Sequence, residues 1–575
     1  MSLRNLFVLL VAMTMLFAGC GDSGESESAS LDQPESLTLV SESKTSIVFD
    51  VALDEIALND VQTKGGEFVA IEAPGWQRYG LPGEPALPAL RHMISLPLGA
   101  EVTVEAEPTM VERMAVDGLI VPNQPPLEKL PGAYERAPFV FDADAYDVDA
   151  YVVGRFAEVV EEGMLRNHRI GLLEITPVDY NPVSGELLVA RGLKVTVRLD
   201  NADAQATREM AREFGSSAFD ALLAVNSANK GAKWSLFTAP QAGAGFLIIY
   251  ANAFESSAPL SALIQMKQNE GWTVGAVNVA SIGSTVIGIR DFIIDYYNSM
   301  QNVTFVLLVG DTDTIPNAVG FGSSSPATDL YYSCINSEDY YPDVLLGRLP
   351  ARNTTQLDHM VDKIAAYKAA AGLKDATFMA STDNYSVSEN THNVVAQYFL
   401  TPHGYDVHKL YTYTYNATTQ QVKNAINAGT NYAIYSGHGD TDCWADGPYF
   451  TQSDVAGLTN TRYPFVASFA CLTGKYQLNE CFAETWLRDD HGAVSMIASS
   501  VTSYWDEDDW FEKGMFFGMF NFPWAGYPDQ VWAASANLSG KFIVWRMSNW
   551  GGGDSLRYFE MYNLFGDPSL EYYTY

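Results

Sequence analysis

The chain has 575 residues, of which 47% are hydrophobic, 18% charged and 12% aromatic. That is a globular composition, with material for about two to four domains. Its 34 basic residues face 69 acidic ones, a formal charge of −35. This excludes a nucleic-acid binder, because neutralising a phosphate backbone takes clustered Lys and Arg.

In chain order, Arg4 precedes the apolar stretch Leu6–Ala18 and then Gly19-Cys20. The stretch is too short for a membrane span and fits the core of a signal peptide over residues 1–20. Cys20, directly after Phe-Ala-Gly, resembles a bacterial lipoprotein cleavage site, which implies a lipidated Cys20, export and the membrane as a partner. Residues 21–36, rich in Ser, Glu, Asp and Gly, read as a disordered tether. Residues 37–200 alternate apolar and polar positions in short runs such as Ser46-Ile-Val-Phe-Asp-Val, a β-rich domain. Residues 201–245 read as a helix over Ala202–Val225 followed by a polar linker carrying Lys230 and Lys233.

From Phe246 the pattern changes. Uninterrupted apolar runs alternate with helical stretches: Phe246-Leu-Ile-Ile-Tyr, helix Ala258–Asn269, Trp272-Thr-Val, helix Val286–Met300, Phe305-Val-Leu-Leu-Val. The alternation continues through helix Thr355–Ala371, strand Thr377–Ser381 and helices Thr391–Thr401 and Thr419–Ala428. It implies an α/β fold, a mostly parallel sheet sandwiched by helices and preceded by the β-rich domain, with subdomains at 246–372 and 373–575.

Two later apolar blocks end in reactive residues: Tyr432-Ala-Ile-Tyr-Ser-Gly-His438-Gly439 and Pro464-Phe-Val-Ala-Ser-Phe-Ala-Cys471. Ligands of open α/β sheets sit outside the carboxyl ends of the strands, so adjacent parallel strands would bring His438 and Cys471 to one rim. A thiol beside an imidazole is an arrangement for nucleophilic catalysis, and the amides of Gly439 and Cys471 are candidate oxyanion donors. Besides Cys20, the cysteines are Cys334, Cys443, Cys471 and Cys481, too few for a disulfide framework and in no zinc-ligand spacing.

The surrounding words occur in the order found in the gingipain family of cysteine endopeptidases, of the caspase-like clan, which the region from Phe246 to Leu570 resembles. They include Val306-Leu-Leu-Val-Gly-Asp311, Leu346-Gly-Arg348, Ser436-Gly-His-Gly, Ala470-Cys, Cys481-Phe-Ala-Glu484 and Leu564-Phe-Gly-Asp-Pro-Ser-Leu570. The β-rich part, with Gly80-Leu-Pro-Gly-Glu-Pro, looks like that family's propeptide domain. The resemblance implies a zymogen with Cys471 as nucleophile, His438 as general acid/base and Gly439 as an oxyanion donor. It places Asp383 where relatives usually carry a histidine-orienting Glu. It also implies Trp505 beside the P1 pocket. Arginine-specific members carry an acidic reader in the loop that is shorter here, Asn384–Asn390, which offers Ser388 or Glu389, and Glu389 is the candidate reader of a basic P1 residue. Its substrates would be proteins or peptides, and its own propeptide would inhibit it until cut near Lys230 or Lys233. No cofactor is expected for catalysis. A structural calcium is expected at Asp311, Asp329, Asp339 and Asp343, by likeness to a calcium-binding stretch of the family. The chain ends five residues after Leu570, so no further C-terminal domain is expected. Two rival readings stay open at this level: a non-catalytic binding module of the same fold, and an acyltransferase or transpeptidase using the same pair.

Overall fold

The computed structural model describes residues 36–229, 245–300, 303–335, 339–369, 374–521, 532–548 and 553–572. The expected signal peptide, Cys20, the tether up to residue 35 and the linker lysines Lys230 and Lys233 lie outside the described residues. Among the described residues no helix is long and apolar enough to cross a membrane.

The first part is β-rich, as its alternation implies. One sheet pairs Leu37–Glu42 with Ser46–Ala52, then Glu186–Asp200, which also pairs with Glu101–Ala115 and Val178–Asn181. A second runs Gln77–Tyr79, Leu87–Leu96, His168–Ile175, Ala157–Leu165. Every second residue of Ser46–Ala52 turns inward, and Ile47, Phe49 and Val51 meet Leu90, Ile94, Leu173 and Ile175 of the other sheet in one apolar cluster. The helix expected over Ala202–Val225 is two helices, Ala204–Phe214 and α1 (Ser217–Asn226), broken at Gly215-Ser216.

The second part is built on one ten-stranded sheet. Its strands are β1 (Gly245–Tyr250), β2 (Thr273–Asn278), β3 (Val303–Val309), β4 (Leu345–Leu349), β5 (Asp375–Ala380), β6 (Asp406–Tyr411), β7 (Tyr432–Ser436), β8 (Phe465–Phe469), β9 (Ser495–Ser499) and β10 (Tyr562–Phe565). The order across the sheet is β2-β1-β3-β4-β10-β9-β8-β7-β5-β6. All neighbours are parallel except β9 and β10. β3, β7, β8 and β9 are buried along their whole length, as strands covered on both faces must be.

The β-rich part is bolted to the sheet through a shared core. From Ala218 to Asn226 every residue of α1 is buried. Phe219 and Leu222 join Leu172 of the β-rich part and Phe542 and Trp545 of helix α4 (Ala533–Met547) in one cluster. All fifteen residues of α4 are buried, so the β-rich part and the sheet cover it together. Each large apolar side chain buried there contributes about 1.5–3 kcal/mol.

Candidate active site

The register of the central sheet sets the site. Ala380, Ser436 and Phe469 are paired across β5, β7 and β8, and the chain leaves all three strands in the same direction. Asp383, His438 and Cys471 follow within two or three residues, so the three side chains share one rim. Gly437 and Gly439 are required by crowding between these exits. A Cβ at Gly437 would lie 2.4 Å from Ser381 Cβ, and one at Gly439 would lie 2.7 Å from the Cys471 carbonyl oxygen. Leu472 takes φ 62°, a sparse region for a bulky residue, in the turn that carries Cys471 off the end of β8.

His438 Nε2 bonds Asp383 Oδ2 at 2.8 Å. Asp446 holds the approach, its Oδ2 accepting from the Asp383 N–H at 2.7 Å. The shorter carboxylate therefore reaches the imidazole without a Glu. On its other side His438 Nδ1 donates to the carbonyl oxygen of Lys129, 2.7 Å away, and the Cys471 thiol points at that same oxygen from 3.4 Å. Both ring nitrogens face acceptors. Cys471 is 1% exposed. Burial pushes its thiol up to about 11, with Asp508 adding to the rise and the Ser503 N–H and Lys129 opposing it.

Lys129 comes from the β-rich part, on the loop Leu127-Glu-Lys-Leu-Pro131. Its ammonium is fully buried and has three acceptors for its three protons: Phe469 O at 2.8 Å, Asp508 Oδ2 at 3.0 Å and Ser436 Oγ at 3.2 Å. Trp505 packs its ring 4.6 Å from the ammonium and 5.5 Å, edge-on, from His438. The loop lies antiparallel to Ser503-Tyr-Trp505: Lys129 N–H donates to Ser503 O at 2.9 Å and Trp505 N–H to Leu127 O at 3.0 Å. The chain then folds back, Leu130 N–H donating to Glu128 O at 2.8 Å, a three-residue turn centred on Lys129.

Asp508 is the residue that sequence reasoning missed. It stands in the first turn of helix α3 (Trp505–Asn521), within the acidic run Asp506–Asp509. The expected reader, Glu389, is elsewhere. Asn384–Asn390 is not a free loop, because helix α2 (Tyr385–Val395) begins inside it. That turns Glu389 inward, where its carboxylate accepts from the N–H of Thr414, at 3.1 Å, and from its hydroxyl.

The four aspartates expected around a calcium are likewise not gathered into one cage. Asp329 makes a two-pronged pair with Arg348, both bonds 2.7 Å. Asp311 is held by Arg352 and by Arg488, the latter at 2.8 Å. Asp339 accepts from the N–H groups of Tyr341 and Met164 at 2.9 Å, and Asp343 from that of Ile335 at 2.5 Å. Asp311 and Asp329, each paired with guanidinium groups, do not offer the free oxygens a hard cation needs. Among the described residues, the ligand atoms of Asp375, Asp406 and His408 do approach within 4.8 Å of one another, on a partly exposed edge of the sheet.

At the carboxyl ends of these parallel strands a buried thiol thus stands close to an imidazole backed by a carboxylate, the kind of pairing that nucleophilic cysteine chemistry uses. The chain belongs to peptidase family C25: the model of that family matches residues 239–573 and the model of the C25 propeptide matches residues 27–222. Lys-gingipain of Porphyromonas gingivalis is 29% identical over 533 residues, 88% of this chain. Gingipain R2 of the same organism is 24% identical over 519 residues, 87% of this chain and 69% of its own length. This chain spans only 30% of the length of Lys-gingipain. Among solved structures, the Arg-specific cysteine proteinase gingipain R is similar with a TM-score of 0.52 and 25% identity, covering 59% of this chain and 81% of that one.

Proposed function

We propose that this chain is the zymogen of an exported cysteine endopeptidase that cuts after lysine, held latent by its own propeptide. The observation that carries the reading is Lys129, whose ammonium meets three acceptors and an aromatic ring in a buried pocket at the Cys471–His438 rim. A P1 lysine of a substrate would enter the same way, with its backbone bonded to Ser503 and Trp505.

Cys471 would then attack the P1 carbonyl carbon as thiolate. His438 would take the thiol proton and return it to the leaving amine, oriented by Asp383. The amides of Gly439 and Cys471 would hold the oxyanion. In the latent form none of this proceeds, for geometric reasons. The Lys129 carbonyl oxygen takes the hydrogen bonds of both the imidazole and the thiol, so the ring cannot act as base. The turn at Lys129 also denies the extended path through a scissile bond. A signal peptide and lipidated Cys20 would export the zymogen and hold it at a membrane until the linker is cut.

A panel of peptide substrates differing only at P1 tests the reading on the activated enzyme. Lysine should be preferred, and Cys471→Ala should abolish turnover. Asp508→Asn should lower kcat/KM for lysine by roughly 10²-fold, the range for removing one member of a desolvated charge pair. Equal rates across P1 residues would remove the proposal.

A further inference from the structure

Asp508 is shared unevenly between protein and ligand. Its Oδ1 accepts from two phenols, Tyr562 at 2.6 Å and Tyr558 at 3.0 Å. Its Oδ2 accepts from the Ser503 hydroxyl at 2.7 Å and from the Lys129 ammonium at 3.0 Å. The two tyrosines stand four residues apart, at the end of helix α5 (Gly553–Met561) and the start of β10, and stack with ring centroids 5.5 Å apart. Both are wholly buried. The Tyr558 hydroxyl itself accepts from the Tyr504 N–H at 3.1 Å, which turns its own proton toward Asp508. Burial and the neighbouring carboxylate push both phenols well above the ordinary tyrosine range, so they stay protonated donors.

A carboxylate oxygen has two lone-pair sites. Oδ1 is therefore full before any ligand arrives, and Oδ2 has one site left. An ammonium is a point charge that needs one carboxylate oxygen, and here it finds its other partners on Ser436 and Phe469. A guanidinium is recognised best as a planar fork making two parallel bonds to both oxygens of a carboxylate. The pocket has withdrawn the second oxygen.

We propose that Tyr558 and Tyr562 are positioning residues that set the choice of lysine over arginine, by holding Oδ1 of Asp508 out of reach of a guanidinium fork. The proposal rests on the lysine reading above and adds the reason that an acidic pocket rejects the other basic side chain. It also distinguishes these tyrosines from packing residues, because packing has no preference between two substrates.

The test compares the activated wild type with Tyr558→Phe, Tyr562→Phe and the double variant on paired substrates that differ only in lysine or arginine at P1. In the double variant the lysine-to-arginine ratio of kcat/KM should fall by about tenfold or more, the scale of one charged hydrogen bond regained. The change should appear mainly in KM, and kcat/KM for arginine should itself rise. A ratio within about twofold of the wild type, with both substrates losing equally, would overturn the proposal and leave the tyrosines a structural role. If the double variant does not fold, Tyr558→Phe, which keeps the shorter Tyr562 bond, decides by the same ratio. A wild type without lysine preference would overturn the lysine reading itself, an outcome separate from unchanged ratios in the variants.

Discussion

Replacing Lys129 by Met in the intact zymogen keeps the length of the side chain and removes its charge. Asp508 then remains buried with its three hydroxyl donors but no cation. Breaking one side of a buried ion pair costs about 3–5 kcal/mol. The three remaining donors argue for the lower end, about 3 kcal/mol, or roughly 10² in how often the loop leaves the pocket. The readout is the rate at which iodoacetamide modifies Cys471, followed by peptide mapping so that buried Cys334, Cys443 and Cys481 are scored apart. Intact mass must show the linker uncut. The Lys129→Met zymogen should react about 10²-fold faster than the wild-type zymogen and should turn over a small P1-lysine substrate, if it keeps its fold by circular dichroism. Rates within about twofold of wild type would show that the buried lysine does not close the site, and the account of latency would fail.

Two further outcomes follow from the same geometry. With its thiol pushed up to about 11, Cys471 in the zymogen is protonated across the neutral range, so its alkylation rate should keep climbing about tenfold per pH unit past pH 9. The activated enzyme, with the propeptide gone from over the thiol, should level off earlier, and a zymogen plateau below pH 9 would contradict the burial argument. Asp383→Asn should lower kcat by about 10²-fold or more, because an amide neither fixes the ring as a carboxylate does nor stabilises its charged form, while Cys471 stays alkylatable.

The sheet and its reactive pair were legible because both are local. His438 and Cys471 each end an apolar run of strand length, and parallel register carries them to one rim. Asp383 was found through the family's motif, and the structure shows why the shorter acid serves: Asp446 draws its backbone in. The carboxylate that meets the Lys129 ammonium was not legible. Nothing in Asp506-Glu-Asp-Asp509 marks its third member, and only the arrival of Lys129 from the other domain does so. Glu389 was misread because helix α2 starts earlier than its apolar spacing begins, which turns the carboxylate toward Thr414. Asp311 and Asp329 looked like cation ligands because their partners, Arg348, Arg352 and Arg488, reach them only through the fold.

Lys129 is not the only anchor of the propeptide, and the others bear on how activation would proceed. Far from Lys129, Arg166 lies fully buried at the turn between Ala157–Leu165 and His168–Ile175 and donates to Val303 O and Asp343 O, each at 2.7 Å. Glu161 beside it accepts from Tyr341 at 2.7 Å and from the Trp545 indole at 2.8 Å. Helix α1 adds the apolar contact with α4. None of these contacts involves residues 230–244, so cutting there leaves them all in place. A zymogen given a unique cleavage site in 230–244 should therefore stay inactive after the cut and elute as one species on gel filtration. Arg166→Met removes two bonds from a charged donor, each contributing about 1.5–3 kcal/mol, and should weaken the cut complex by 10² or more. The cut Arg166→Met protein should then separate on dilution and release activity, with Lys129 still present. Full activity on cutting the unmutated chain would show that the linker alone holds the propeptide, and the second anchor would have no part in latency.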